Sequence, residues 1–192
     1  MHGRMLRIYR SFSNVSVNGN YCVYTWLLSL EEIYKDKGKL PSTLYHQIDG
    51  GSENANKITL AMAYLMVAKG LTQKIVMTRL PPGHTHEDID ALFALIWNML
   101  KNEIVLTLDE FKRMMYIALS GKKDVKVVDI YACPNFKAWF DGYIDSDFGL
   151  FAKQDWTQLQ FIFERVDESE RDRYPLLVKV SYRAYAQDDV IE

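Results

Sequence analysis

The sequence predicts an α/β protein: a sheet with helices packed on it. Two observations carry the prediction. Runs that alternate apolar and polar residues recur between runs whose apolar residues return at helical spacing. Over roughly the first half of the chain these follow one another as strand, turn or short strand, helix, strand, helix, strand, helix, the order that builds a helix-covered sheet. A third supports it: hydrophobic residues make up 48% of the 192 residues, charged ones 25% and aromatic ones 13%. That composition belongs to a globular domain with a sizeable core, not to a disordered chain.

The elements follow in order. "MLRIYRS" (residues 5–11) alternates and reads as a strand. "SNVSVNGN" (13–20) reads as a turn, or as a short strand ending in the Asn18-Gly19 pair. Val23, Trp26, Leu27, Leu30 and Ile33 predict a helix over 21–34, with Gly38 as its C-terminal cap. "TLYHQID" (43–49) is a short β-rich run. "GGSENANK" is a glycine-rich turn into a helix over 54–69, closed by Gly70. Its face (Met62, Leu65, Met66, Val67) is apolar enough to require a sheet beneath it. "QKIVMTRL" (73–80) is the next strand. A helix over 86–101 carries Ile89, Leu92, Phe93, Ile96, Met99 and Leu100 on one side. Thr107 followed three residues later by Glu110 is a capping box that opens another helix, "TLDEFKRMMYIAL".

Beyond it, 124–131, 156–166 and 176–185 read as strands, the last two joined by the charged turn "DESERDRYP". The expected division is a core over 1–120 and a β-rich stretch over 121–192, which either extends the sheet or forms a small appendage. No internal repeat or low-complexity segment interrupts it.

Bulk properties narrow the function classes. The net charge of −2 does not advertise a nucleic-acid binder, although a sum hides patches. Cys22 and Cys133 are far apart and form no CxxC pair, which fits free, buried thiols in a reducing compartment. No signal peptide and no membrane-length apolar run is present, so nucleus or cytosol is the expected location and no membrane the expected partner.

Two places carry chemistry-bearing side chains. Asp49 ends a strand and opens a Gly-Gly turn, at the edge where α/β sheets bind ligands; the same pattern is also ordinary turn chemistry. "GHTHEDID" then concentrates His84, His86, Glu87, Asp88 and Asp90 at the start of a helix. Thr85 as N-cap with Asp88 three residues on, together with the helix dipole, accounts for some of these groups but not for two histidines as well. His86 and Asp90 share a helix face, and the apolar stripe that follows Asp90 places its carboxylate near the buried side, where it needs a partner or a metal.

A zinc reading takes His84-x-His86-x-Asp88, which looks like the HxHxDH motif of metallo-β-lactamase-type hydrolases. Ile89 stands where that motif has His, and the four histidines (His2, His46, His84, His86) leave none downstream. The other reading pairs Asp49 with Asp90, or with Asp88 or Glu87, as oxygen ligands for Mg²⁺ or Mn²⁺, the donor set of two-metal phosphoryl transfer.

At this point the residues resemble a known pattern. The succession looks like the ribonuclease H-like fold of DDE/D transposases and retroviral-type integrases. There an Asp ends the fourth strand, a helix and a strand follow, and a helix carries the third acidic residue. Asp49 fits the second acidic position, and Asp90 (or Asp88 or Glu87) the third. "QIDGGSENANK" with "LPPGHTHEDIDALFALI" more closely resembles an uncharacterised eukaryotic domain family of transposon-derived proteins, with a D…QNKN-like turn and a GHTHxxxD-like motif. The likeness covers about residues 5–120. It is specific over Gly83–Asp90 and looser at residues 52–57, where SENANK replaces QNKN.

The resemblance implies metal-dependent phosphoryl transfer on DNA, with Mg²⁺ or Mn²⁺ on Asp49 and Asp90. His84 or His86 would orient water or contact phosphate, and Asn54, Asn56 and Lys57 would meet the DNA backbone; self-association is a further expectation. One departure stands out. The family's first catalytic Asp lies on the first strand, whereas the acidic residues before Asp49 here (Glu31, Glu32, Asp36) lie in or just after a helix. A chain lacking that first strand, as a fragment or a decayed element, accounts for this. The alternative is a non-catalytic, domesticated domain that binds nucleic acid or protein.

Overall fold

The computed structural model describes residues 5–48, 56–79, 87–121, 124–144 and 160–183. In chain order its elements are β1 (Leu6–Ser11), α1 (Gly19–Lys37), β2 (Thr43–Ile48), α2 (Lys57–Ala68), β3 (Lys74–Arg79), α3 (Glu87–Leu100), α4 (Leu108–Ala118), β4 (Val125–Ile130), α5 (Phe136–Phe140), β5 (Gln160–Arg165) and β6 (Val178–Arg183). Among the described residues this is a mixed α/β structure of two sheets and five helices, the class expected from the alternation. The chain divides into two compact units: Met1–Ser16 with His86–Ala132, and Val17–Thr85 with Cys133–Glu192. The grouping follows strand pairing and not position along the chain.

The first unit is built on β1 and β4, which pair parallel from Leu6 opposite Val125 to Ser11 opposite Ile130. Ile96 of α3, Met115 and Leu119 of the α4 region and Val127 of β4 form its core, with Leu6, Ile8, Leu92, Leu100 and Phe111 packed around them. The apolar face of α3 is narrower than the expected stripe. Leu92, Ile96 and Leu100 turn inward at one-turn spacing, while Phe93 is 62% and Trp97 67% exposed. This seam packs against α4 and shares its core with Val127 of β4 and with Leu6 and Ile8 of β1. The Thr107 capping box forms as expected: the Thr107 hydroxyl accepts from the Glu110 amide, and the Glu110 carboxylate accepts from the Thr107 amide.

Arg10, nearly buried, is held by its neighbours: Nε donates to Asp129 Oδ1 at 2.8 Å and Nη1 to the Leu108 carbonyl at 3.0 Å. Its guanidinium also lies 5.6 Å from the Phe12 ring centre and 5.7 Å from that of Phe111, so the charge is both paired and stacked.

The second unit is a four-stranded sheet in the order β2-β3-β5-β6. β2 and β3 run parallel, and β5 and β6 add to β3 antiparallel. The registers put Ile75 opposite Phe163 and Met77 opposite Phe161, so cross-strand pairs make the floor of the core. Val23, Trp26 and Leu30 of α1 and Ile58, Met62, Met66 and Val67 of α2 close over it. α2 is apolar nearly all round because it packs on α1, α5, β3, β5 and β6 together.

Local signals fix the ends of the two helices. The Asn18 side chain accepts from the amides of Asn20 and Tyr21 to start α1. Gly38 ends it in the left-handed conformation, φ 71°. The stretch after 133 is not purely β: Asn135 caps the short α5 by accepting from the Ala138 amide at 3.1 Å. Five residues are too few to display a helical period, so the sequence pattern could not announce it. Cys22 and Cys133 form no disulfide and are partly buried, less enclosed than expected.

Candidate functional site at the carboxyl ends of two parallel strands

β2, α2 and β3 form a strand–helix–strand unit with parallel strands in register, Thr43 opposite Lys74 and Ile48 opposite Arg79. Both strands therefore finish at one edge of the sheet, the edge at which open α/β sheets bind ligands. Asp49 is the next residue after Ile48 in the sequence, and "LPPGHTH" follows Arg79. Asp49, Asn54, His84 and His86 lie outside the described residues, as does Thr85, the expected N-cap of α3.

At the same edge a polar row crosses the sheet that no motif had singled out. Gln47, Thr78, Gln160 and Arg183 stand opposite one another on successive strands. Gln160 Nε2 donates to Thr78 Oγ1 at 2.9 Å, and Arg183 Nε donates to Gln160 Oε1 at 2.8 Å. The amide joins a hydroxyl to a guanidinium, which fixes its orientation and holds a cation at this end of the sheet. Thr78 and Gln160 each adjoin a buried apolar residue (Met77, Phe161), but which strands meet is not written in the sequence.

Of the proposed nucleic-acid contacts, Asn56 has a structural task. It is the N-cap of α2, its Oδ1 accepting from the amides of Ile58 at 2.9 Å and Thr59 at 3.1 Å. Its side chain also packs against Gly19: a β-carbon there would come within 2.7 Å of Asn56 Nδ2. Lys57, the first helical residue, is exposed, and the first turn of α2 holds no acidic residue. This helix end is therefore positive, from its amides and from Lys57 together.

Glu87, Asp88 and Asp90 fall in the first turn of α3, and the side chains of residues 87–89 are outside the description. Asp90 is exposed. The expected placement of its carboxylate near the buried side of the helix is corrected: the inward seam is Leu92, Ile96 and Leu100, which leaves Asp90 in water with no need of a buried partner. Among the described residues no group of three or more His, Cys, Asp or Glu is gathered in a way that holds a metal ion.

The histidine the structure does characterise is His46 of β2, which faces the core side next to Met77. Its ring meets Trp26 edge-on, and burial lowers its pKa from 6.5 to about 4, so it is neutral at ordinary pH. It is a packed ring, not a titrating group at neutral pH.

Among the described residues no helix is long and apolar enough to cross a membrane. The family profile described as Domain of unknown function (DUF7869) matches residues 1–171. No curated protein and no solved structure matches the chain.

Proposed function

The chain belongs to the DUF7869 family, and we propose that it is a transposase- or integrase-like domain of mobile-element origin with a ribonuclease H-like core, acting by metal-dependent phosphoryl transfer on DNA. One observation carries the reading: β2 and β3 are parallel, joined through α2, and followed by α3. An aspartate comes directly after the first of these strands, and "GHTHEDID" leads from the second into the helix. That is the order in which DDE/D enzymes present their second and third carboxylates.

Asp49 and Asp90, with Asp88 and Glu87 beside the latter, are the proposed ligands of Mg²⁺ or Mn²⁺. The donor set is carboxylate oxygen alone, which suits a hard cation, and the exposure of Asp90 leaves its oxygens available. The metal would supply Lewis acidity at the phosphate. His84 and His86 would position water or phosphate, and Lys57, with Asn54 and Asn56 at the helix start, would meet the DNA backbone. In this reading the domain works in the nucleus or the cytoplasm.

The test is Mg²⁺-dependent cleavage or strand transfer on DNA by the full-length protein. Activity that is lost in Asp90→Asn and Asp49→Asn supports the reading. A full-length protein that binds DNA without cutting it, with or without Mn²⁺, would favour the second reading, a domesticated binding domain. That second reading has its own support in the first unit, where Phe93, Leu95 and Trp97 of α3 are exposed apolar side chains of the kind partner surfaces use.

A further inference from the structure

In the second unit a cleft of about 660 Å³ opens between α2 and the α5 region, within the size range of small-ligand sites. Tyr64, Leu65 and Lys69 come from the α2 side, Trp139 and Tyr143 from α5 and the turn after it, and Leu176 from the approach to β6. Three properties set it apart from a gap in packing. Its walls are aromatic, and those aromatics are exposed although they line a concavity: Trp139 is 57% and Tyr143 86% accessible. Among the described residues the charged group in its lining is a cation, Lys69, and none of them brings a carboxylate to it. The Tyr64 hydroxyl stays protonated, because burial pushes its pKa up, and so remains a hydrogen-bond donor in an otherwise apolar wall.

An uncharged acyl chain or an aliphatic peptide would use the apolar walls but not the cation, and a fatty acid would pair with the cation but bring no ring to the aromatic faces. A planar ring that carries an anion uses both. We infer that this cleft binds an unstacked base of a DNA strand, the base stacking on Trp139 and Tyr143 and its phosphate meeting Lys69. The inference rests on the proposed action on DNA. Stacking on aromatic side chains is sequence-tolerant, because every base has a π-face, and a single lysine holds phosphate as a point charge. The cleft is thus a holding site for a strand, separate from the carboxylates proposed for the chemistry.

Fluorescence anisotropy of the full-length protein with labelled oligothymidylate tests this, against an abasic oligomer of the same length. The base-bearing strand should bind at least about fivefold tighter than the abasic one. Tyr143→Ala and Trp139→Ala should abolish that preference, while Trp139→Phe keeps it. Lys69→Gln should weaken both strands and lower the salt slope by about one. Tyr143 is almost wholly exposed, so its variant reports on binding even if Trp139→Ala loosens α5.

Equal binding of the two strands, or wild-type preference in both alanine variants, overturns the inference. So does tighter capture of a labelled acidic, aromatic peptide that competes with the strand, which would make the cleft a peptide site. Metal-dependent cleavage that persists alongside either result leaves the proposed function standing while this inference falls. Base-selective binding without any cleavage does the reverse.

Discussion

The His46 imidazole meets the Trp26 indole edge-on, with 4.3 Å between ring centres and 60° between planes. The contact packs a titratable ring from β2 against the core helix α1, and burial there lowers its pKa to about 4. Between pH 6.5 and about 4 the unfolded chain holds a proton on His46 that the folded chain does not. Its neutral-form packing is thus fully favourable above pH 6.5 and is lost as pH falls towards 4, by at most about 3 kcal/mol. Urea midpoints of wild type and His46→Phe at pH 7.5 and about 4.5 should converge or cross on the acid side. Parallel pH profiles for the two proteins would rule this account out.

Asp90 is exposed on α3, so its removal should cost little in folding. Asp90→Asn is expected to change the urea-unfolding free energy by less than about 0.5 kcal/mol. Under the proposed function it also eliminates Mg²⁺-dependent cleavage. A large loss of stability would mean that the carboxylate has a structural partner, and would remove the clean separation of fold from activity.

Arg165 finishes a helix from a strand. Its Nη1 donates to the carbonyls of Val67 and Ala68, both at 3.2 Å, at the C-terminal end of α2. A cation there also answers the negative end of the dipole. Arg165→Gln should destabilise the protein by about 2 kcal/mol, with Arg165→Lys intermediate, as read by thermal or urea unfolding.

Gly19→Ala should act on α2 although it lies on α1. The new methyl would meet Asn56 Nδ2 at 2.7 Å and Cγ at 2.9 Å, displacing the side chain that caps α2. The expected loss is about 1 kcal/mol, the worth of an N-cap. In Asn56→Gly, where the side chain is already gone, the same alanine should be nearly neutral, and a full additional loss there would disprove the coupling.

Thr107→Ala removes the hydroxyl half of the α4 capping box and should cost about 1 kcal/mol. The amides of Leu106 and Thr107 and the Thr107 hydroxyl hold the Glu110 carboxyl below its usual pKa. A group lowered in this way supports the fold above its unfolded pKa and stops doing so as pH falls through its folded one. The contribution of Glu110 should therefore fade in acid, and Glu110→Gln should match the wild type more closely at low pH than at neutral pH in unfolding curves.

What could be read in the chain was what is encoded locally. Gly38 marks a left-handed stop, Thr107 and Glu110 are three residues apart, and "KIVMTR" holds a β-branched apolar run of strand length, so those elements stand where the pattern puts them. What could not be read was decided by distant contacts. Period two assigns a residue to a face but not a strand to a neighbour, so the pairing of β1 with β4, and the addition of β5 and β6 to β3, had no local signature. Asn56 shows the same limit at the candidate site. In "SENANK" two asparagines are equally plausible as caps or as phosphate contacts, and the helix start decides that Asn56 caps. For Asp90 the apolar stripe suggests a wider buried face than α3 has, since Leu92, Ile96 and Leu100 turn into the core while Asp90, Phe93 and Trp97 stay exposed.

The addition of β5 to β3 has a practical consequence for anyone who shortens this protein. Cutting the chain near residue 120, where the pattern changes, deletes β4, β5 and β6 at once. β1 then loses its partner, and β3 becomes a bare edge whose Ile75, Val76 and Met77 have lost the strand that paired with them. Such an edge is a template for pairing with other copies. The short product is expected to accumulate as insoluble aggregate, read as loss from the supernatant on centrifugation, because the segment it lacks is the one that pairs with that edge.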